Sequence, residues 1–99
     1  MTSAEALRER ANGVAAELPD VEMDAGGWSA AGNRFAILEG DAIELHLDEP
    51  VARAATRTPD TSPSHRGLDW VRFAPGELDD HAVDRLDAWF RFAYRRARS

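Results

Sequence analysis

The sequence predicts an α+β domain, a two-layer sandwich in which N- and C-terminal helices cover one face of an antiparallel sheet of about four strands. Three observations lead there. Apolar residues recur at helical spacing at both ends of the chain, short runs between them alternate apolar with polar, and the turns joining the first strands are too short for parallel crossovers. Ninety-nine residues suit one core, and neither a repeat nor a long linker divides the chain, so residues 1–99 are expected to form a single domain.

The elements follow in order. Thr2 to Glu5 reads as a capping box, and Leu7, Ala11, Val14, Ala15 and Leu18 recur along the helix it starts. Asn12-Gly13 weakens its middle, and Pro19 marks its end. "DVEMDAGGW" alternates Val21 and Met23 with Glu22 and Asp24 and predicts a short strand running into a turn at Gly26-Gly27. "NRFAIL" and "AIELHL", joined at Gly40-Asp41, read as a hairpin that directs Phe35, Ile37, Ile43 and Leu45 to the core. Asp48 and Pro50 open a short helix through "VARAAT", and "RTPDTSPSHRG" reads as a loop, rich in turn formers and without periodicity. The strand "LDWVRF" follows. Asp79 or Asp80 then caps a final helix whose Ala82, Val83, Leu86, Trp89, Phe90, Ala93, Tyr94 and Ala97 cover an arc of about 140°. An Asp87–Arg91 pair supports that helix, and Phe92 lies off its apolar arc. The predicted order is α-β-β-β-α-β-α.

Composition bounds the chemistry. The chain has no cysteine, which excludes disulfides, thiolate zinc sites and cysteine nucleophiles. The N-terminal "MTSAEALRER" carries charges where a signal peptide needs an apolar core, and no long apolar run occurs, so a cytoplasmic protein without membrane contact is expected. Every base is an arginine, and the net charge of −6 weighs against nucleic acid as the principal partner.

Strand alternation supplies the candidate site. With Val71 and Phe73 facing the helices, Trp70 and Arg72 stand on the opposite face beside Arg34, Glu44 and His46. A tryptophan among ionisable groups suits stacking on a planar ligand, anchoring a protein partner or forming a homodimer interface. The bland reading of the same residues is a Trp sheltered by the proline-rich loop and an Arg72–Glu44 cross-strand pair. His46, Glu44 and Asp48, with His65 from the loop, are too few histidines for a metal site to be expected, and no cofactor is. No serine–histidine–acid set stands on a rigid element, so an enzyme is not expected. Arg91, Arg95, Arg96 and Arg98 at the C-terminal end offer an alternative nucleic-acid surface.

"LPDV", "GNRFAIL", "LDWVRF" and the closing "LDDHAVDRLDAWFRFAYRRA" together resemble the MmcQ/YjbR family over most of the chain. That resemblance implies a compact α/β fold and a presumed DNA-binding role. "FAILEGDAIELHL", "SPSHRGLDWVRF" and "AYRRA" are similar to segments of small luciferase-domain proteins, in which His65 and Trp70 occupy matching positions. It implies small-molecule binding or turnover. The expectation is a small cytoplasmic binding or interaction domain using Glu44, His46, His65, Trp70 and Arg72, with nucleic-acid binding and a luciferase-domain-like enzyme as alternatives.

Overall fold

The computed structural model describes residues 3–99, so the Thr2 end of the expected capping box lies outside the described residues. The chain forms α1 (Ser3–Ala15), β1 (Val21–Met23), β2 (Gly27–Ala30), β3 (Asn33–Glu39), β4 (Ala42–His46), α2 (Glu49–Ala55), β5 (Thr61–Ser64), β6 (Gly67–Phe73) and α3 (Asp80–Ala97). All six strands join one antiparallel sheet in the order β1-β2-β3-β4-β6-β5. No helix among the described residues is long and apolar enough to cross a membrane. The α+β class is as expected, with six strands rather than about four.

Both additional strands escaped sequence patterns for physical reasons. Gly27 to Ala30, expected to begin as a turn, is β2, and only glycine fits its first position: a Cβ on Gly27 would lie 2.2 Å from the Ala36 carbonyl oxygen. The turn precedes it, where the Asp24 carboxylate accepts from the Gly26 and Gly27 amides at 2.8 and 3.0 Å. Thr61 to Ser64, expected to be loop, is β5, an edge strand, where Pro63 is tolerated and no apolar alternation is required.

The hairpin turns follow local backbone rules. Ala31 and Gly32 between β2 and β3 both have positive φ, 52° and 80°, as a type I′ hairpin requires. Gly40 opens the two-residue β3–β4 turn with φ 62°. Asp48 caps α2 through the Val51 amide, and Asp79 caps α3 through the Ala82 amide, as the sequence implied.

Alternation needs one correction. Ala36, paired with Leu45, and Leu38, paired with Ile43, line the helix-covered face, whereas Ile37 pairs with Glu44 on the other. Phe35 still reaches the core because the β2–β3 register shifts between Trp28 and Ser29, leaving Phe35 as the extra residue of a bulge. Its ring meets Phe90 and Tyr94 edge-on, at centroid distances of 5.1 and 6.0 Å. Trp28 completes the group, edge-on to Phe90 at 5.6 Å, with its indole N–H donating to Asn12 Oδ1 at 3.0 Å.

α1 and α3 run parallel across this face. Arg10 binds Asp87 at 2.5 Å, Arg91 reaches Glu17 at 3.3 Å, and the Tyr94 hydroxyl donates to the Pro19 carbonyl at 2.6 Å. Asp87 therefore binds α1, and Arg91 the segment just after it, rather than each other. Phe92, off the main apolar arc, is partly buried against the core.

Candidate ligand-binding site

Trp70 and His46 are cross-strand partners at the end of the β4–β6 ladder. Their rings stack face to face, 4.5 Å apart and 6° from parallel. The expected position of Trp70 away from the core is thus met, with an addition: histidine already covers part of the indole. The Arg66 guanidinium also stands over the indole, 5.9 Å from its centroid.

His46 is held on both ring nitrogens. Asp69 Oδ2 lies 2.7 Å from Nε2, and Arg96 Nη1 lies 3.3 Å from Nδ1. Because a guanidinium only donates, that contact makes Nδ1 the acceptor and leaves the Nε2 proton for Asp69. The His46 hydrogen bond above all, with a backbone hydrogen bond and lesser help from the charge of Arg96, holds the Asp69 carboxyl below the usual carboxylate range against the opposing effect of burial. Arg96 also approaches Asp69 Oδ2, at 3.5 Å.

His46, Trp70 and Arg96 edge a cleft of about 650 Å³ between the β2–β3 hairpin, the strand ends and the last turns of α3. Phe35, Ala93 and Ala97 give it an apolar side; Asn33, Arg34, His46 and Arg96 give it a polar one. Arg34 is fixed by a two-point pair with Asp24, at 2.6 and 3.1 Å, whose hydrogen bonds, with that of the Gly26 amide, bring the Asp24 carboxyl down to about 2. The volume falls within the range of small-molecule sites, roughly 300–1,000 Å³.

A second cluster centres on Glu44. Although it points away from the core, it is only 1% exposed, because the β5–β6 hairpin folds over it. Ser64 donates to its Oε2 at 2.5 Å, and Arg66 donates to its Oε1 at 2.7 Å while also binding Glu39 at 2.6 Å. Burial alone would push the Glu44 carboxyl up, but the Ser64 and Arg66 hydrogen bonds and the Arg66 charge outweigh it and hold it low. The same pairing raises Arg66. Glu39, Glu44 and His65 bring ligand-type atoms within 4.8 Å of one another, a spacing a cation could span, yet Arg66 already neutralises both carboxylates.

The residues expected to act together therefore divide. Trp70 and His46 meet at the cleft, whereas Glu44 and the exposed His65, 3.9 Å apart, belong to the hairpin cluster. Arg72 lies opposite Glu44 in register but pairs with Asp41 at 3.4 Å, since Arg66 has taken the Glu44 carboxylate. Asp48, grouped with His46 and Glu44 by sequence, caps α2 instead.

Among the C-terminal arginines, Arg91 faces Glu17, Arg96 faces Asp69, and Arg98 lies 3.7 Å from Asp20 and donates to the Tyr94 hydroxyl. Arg95 is exposed. Sequence reasoning missed Asp69, Arg66 and Asn33. Strand alternation puts Asp69 on the opposite side from Trp70 and so does not join it to His46; the two meet where the β4–β6 ladder ends. Arg66 sat in a presumed loop, and the hairpin spacing of "SPSHRG" between two strands was the signal for it. Compared with family models, with curated proteins and with solved structures, the chain matches none.

Proposed function

We propose that the protein is a small binding domain whose ligand enters the cleft edged by His46, Trp70 and Arg96. The observation carrying this reading is the His46–Trp70 stack, held by Asp69 beside a cleft of ligand size. A site built on strand ends and a long helix presents its groups in fixed positions, which lowers the ordering cost of binding. The luciferase-domain resemblance accords with it through Trp70. Binding rather than turnover is the reading, since the nitrogens of His46 are both engaged and Ser64 donates to a carboxylate held in its ionised form.

The test is a thermal-shift screen of a chemically mixed small-molecule library, followed by chemical-shift mapping of its hits. Hits should perturb the Trp70 indole and the His46 ring and lose their effect in Trp70→Ala and His46→Ala variants that remain folded. Hits that survive both substitutions, or a screen that finds none in the cleft, would overturn the proposal.

The alternative, nucleic-acid contact through Arg91, Arg95, Arg96 and Arg98, draws on their clustering in the last turns of α3. It requires Glu17, Asp69 and Asp20 to give up their partners to phosphates, against a net charge of −6. A gel shift in low salt separates the two readings: retention that weakens steeply with added salt favours nucleic acid.

A further inference from the structure

We infer that the cleft takes a small organic oxyanion, a carboxylate or phosphate on an apolar body, with Arg96 as its anchor. This rests on the reading of the cleft as a ligand site and deepens it. The hydrogen-bonding groups left free in the cleft set the chemistry of its ligand.

The acceptors at the end of α3 are spent. The Arg98 amide bonds to the Tyr94 and Arg95 carbonyls, each at 3.3 Å, and the Ser99 hydroxyl also donates to the Arg95 carbonyl at 3.0 Å. The Ser99 amide takes the Arg96 carbonyl at 3.2 Å, and the Asn33 side chain, reaching across from β3, takes the Ala97 carbonyl at 2.8 Å. The carbonyls of Tyr94 to Ala97, which would give this helix C-terminus its negative character, are thus covered.

The donors are in the opposite condition. Arg96 is 38% exposed on its side chain, and its contacts with His46 and Asp69, at 3.3 and 3.5 Å, are both longer than the about 2.7–2.9 Å of a well-formed charge-assisted bond. Asp69 Oδ2 belongs first to His46, at 2.7 Å. The planar guanidinium therefore retains N–H groups suited to a two-point grip on a carboxylate or phosphate. Arg34 is spent on the Asp24 carboxylate at two points and does not compete for the ligand. Trp70, whose partly exposed indole also lines the cleft, offers its apolar surface to the body attached to the anion.

The experiment titrates the whole chain with benzoate, phenyl phosphate and the neutral analogue benzamide, followed by the Trp70 indole and His46 ring resonances. Benzoate or phenyl phosphate should bind at least tenfold more tightly than benzamide, and whichever arm is tighter identifies the headgroup. Arg96→Gln, checked for an unchanged fold by circular dichroism, should abolish that preference. Arg96→Lys should keep part of it, by retaining charge without the fork, and Arg91→Gln should leave it intact. Equal binding of benzamide, absence of binding by both anions, or a preference that survives Arg96→Gln would overturn the inference. Neutral library hits in the cleft, with both anions silent, would overturn the anion class alone and leave the cleft as a ligand site.

Discussion

Glu44 illustrates how one residue's surroundings decide its role. As the outward member of an alternating strand it should be solvated, yet Ser64 and Arg66 close over it and keep it ionised while buried. Glu44→Gln should destabilise the fold by about 1–3 kcal/mol at neutral pH, measured by urea unfolding, because Arg66 loses a buried partner. The pH dependence has a definite sign. Glu44 and Asp69 both have folded-state pKa values below their unfolded ones, so the stability they contribute is present above the ordinary carboxylate range and is lost as pH falls through the lowered values. Unfolding should therefore ease progressively on acidification below about pH 4, where free carboxylates begin to protonate. The Glu44→Gln variant should show a shallower acid decline than the parent chain; an equal slope would remove Glu44 as a cause.

At the scale of the element, the hairpins make separable predictions about glycine and its neighbours. Gly27→Ala places a methyl against the Ala36 carbonyl and should cost about 2–4 kcal/mol by forcing β2 from β3. Gly13 in α1 has nothing within 4 Å of an added Cβ, so Gly13→Ala should stabilise by about 0.5–1 kcal/mol through helix propensity. Ala31 holds a positive φ without being glycine or asparagine, and Ala31→Asn should raise stability by about 1 kcal/mol. Thermal unfolding of the three variants would rank them in opposite directions from one reference.

Elements were legible wherever one face is buried and periodicity is enforced. The α3 stripe, both aspartate caps and the β3–β4 turn could be read directly, because packing and capping leave their mark on composition. β5 could not, since an edge strand exposed on its outer side needs no apolar period. Phe35 and Ile37 were assigned to one side because a bulge leaves no trace in a pattern of twos. Of the site, Trp70 and His46 were within reach, while Asp69 and Arg96 come together only through where the ladder stops and where a helix ends.

For the whole molecule, one aromatic group ties the layers together. Phe90 stands edge-on to Trp28 from β2 and Phe35 from β3, so its removal strips both helix–sheet contacts at once. Phe90→Ala should lose about 3–5 kcal/mol, near the upper end of core truncations, and equilibrium unfolding monitored by tryptophan fluorescence would measure it.

The extra residue at Phe35 sets a rule of parity for this chain. Because Phe35 is the surplus position, deleting it alone would leave Arg34, Ala36 and Ile37 in unbroken alternation opposite Ser29, Trp28 and Gly27, whereas removing a second residue would slip the register by one and turn the rest of the strand over. Loss of this one residue should therefore cost the packing of its ring and spare the pairing of the hairpin.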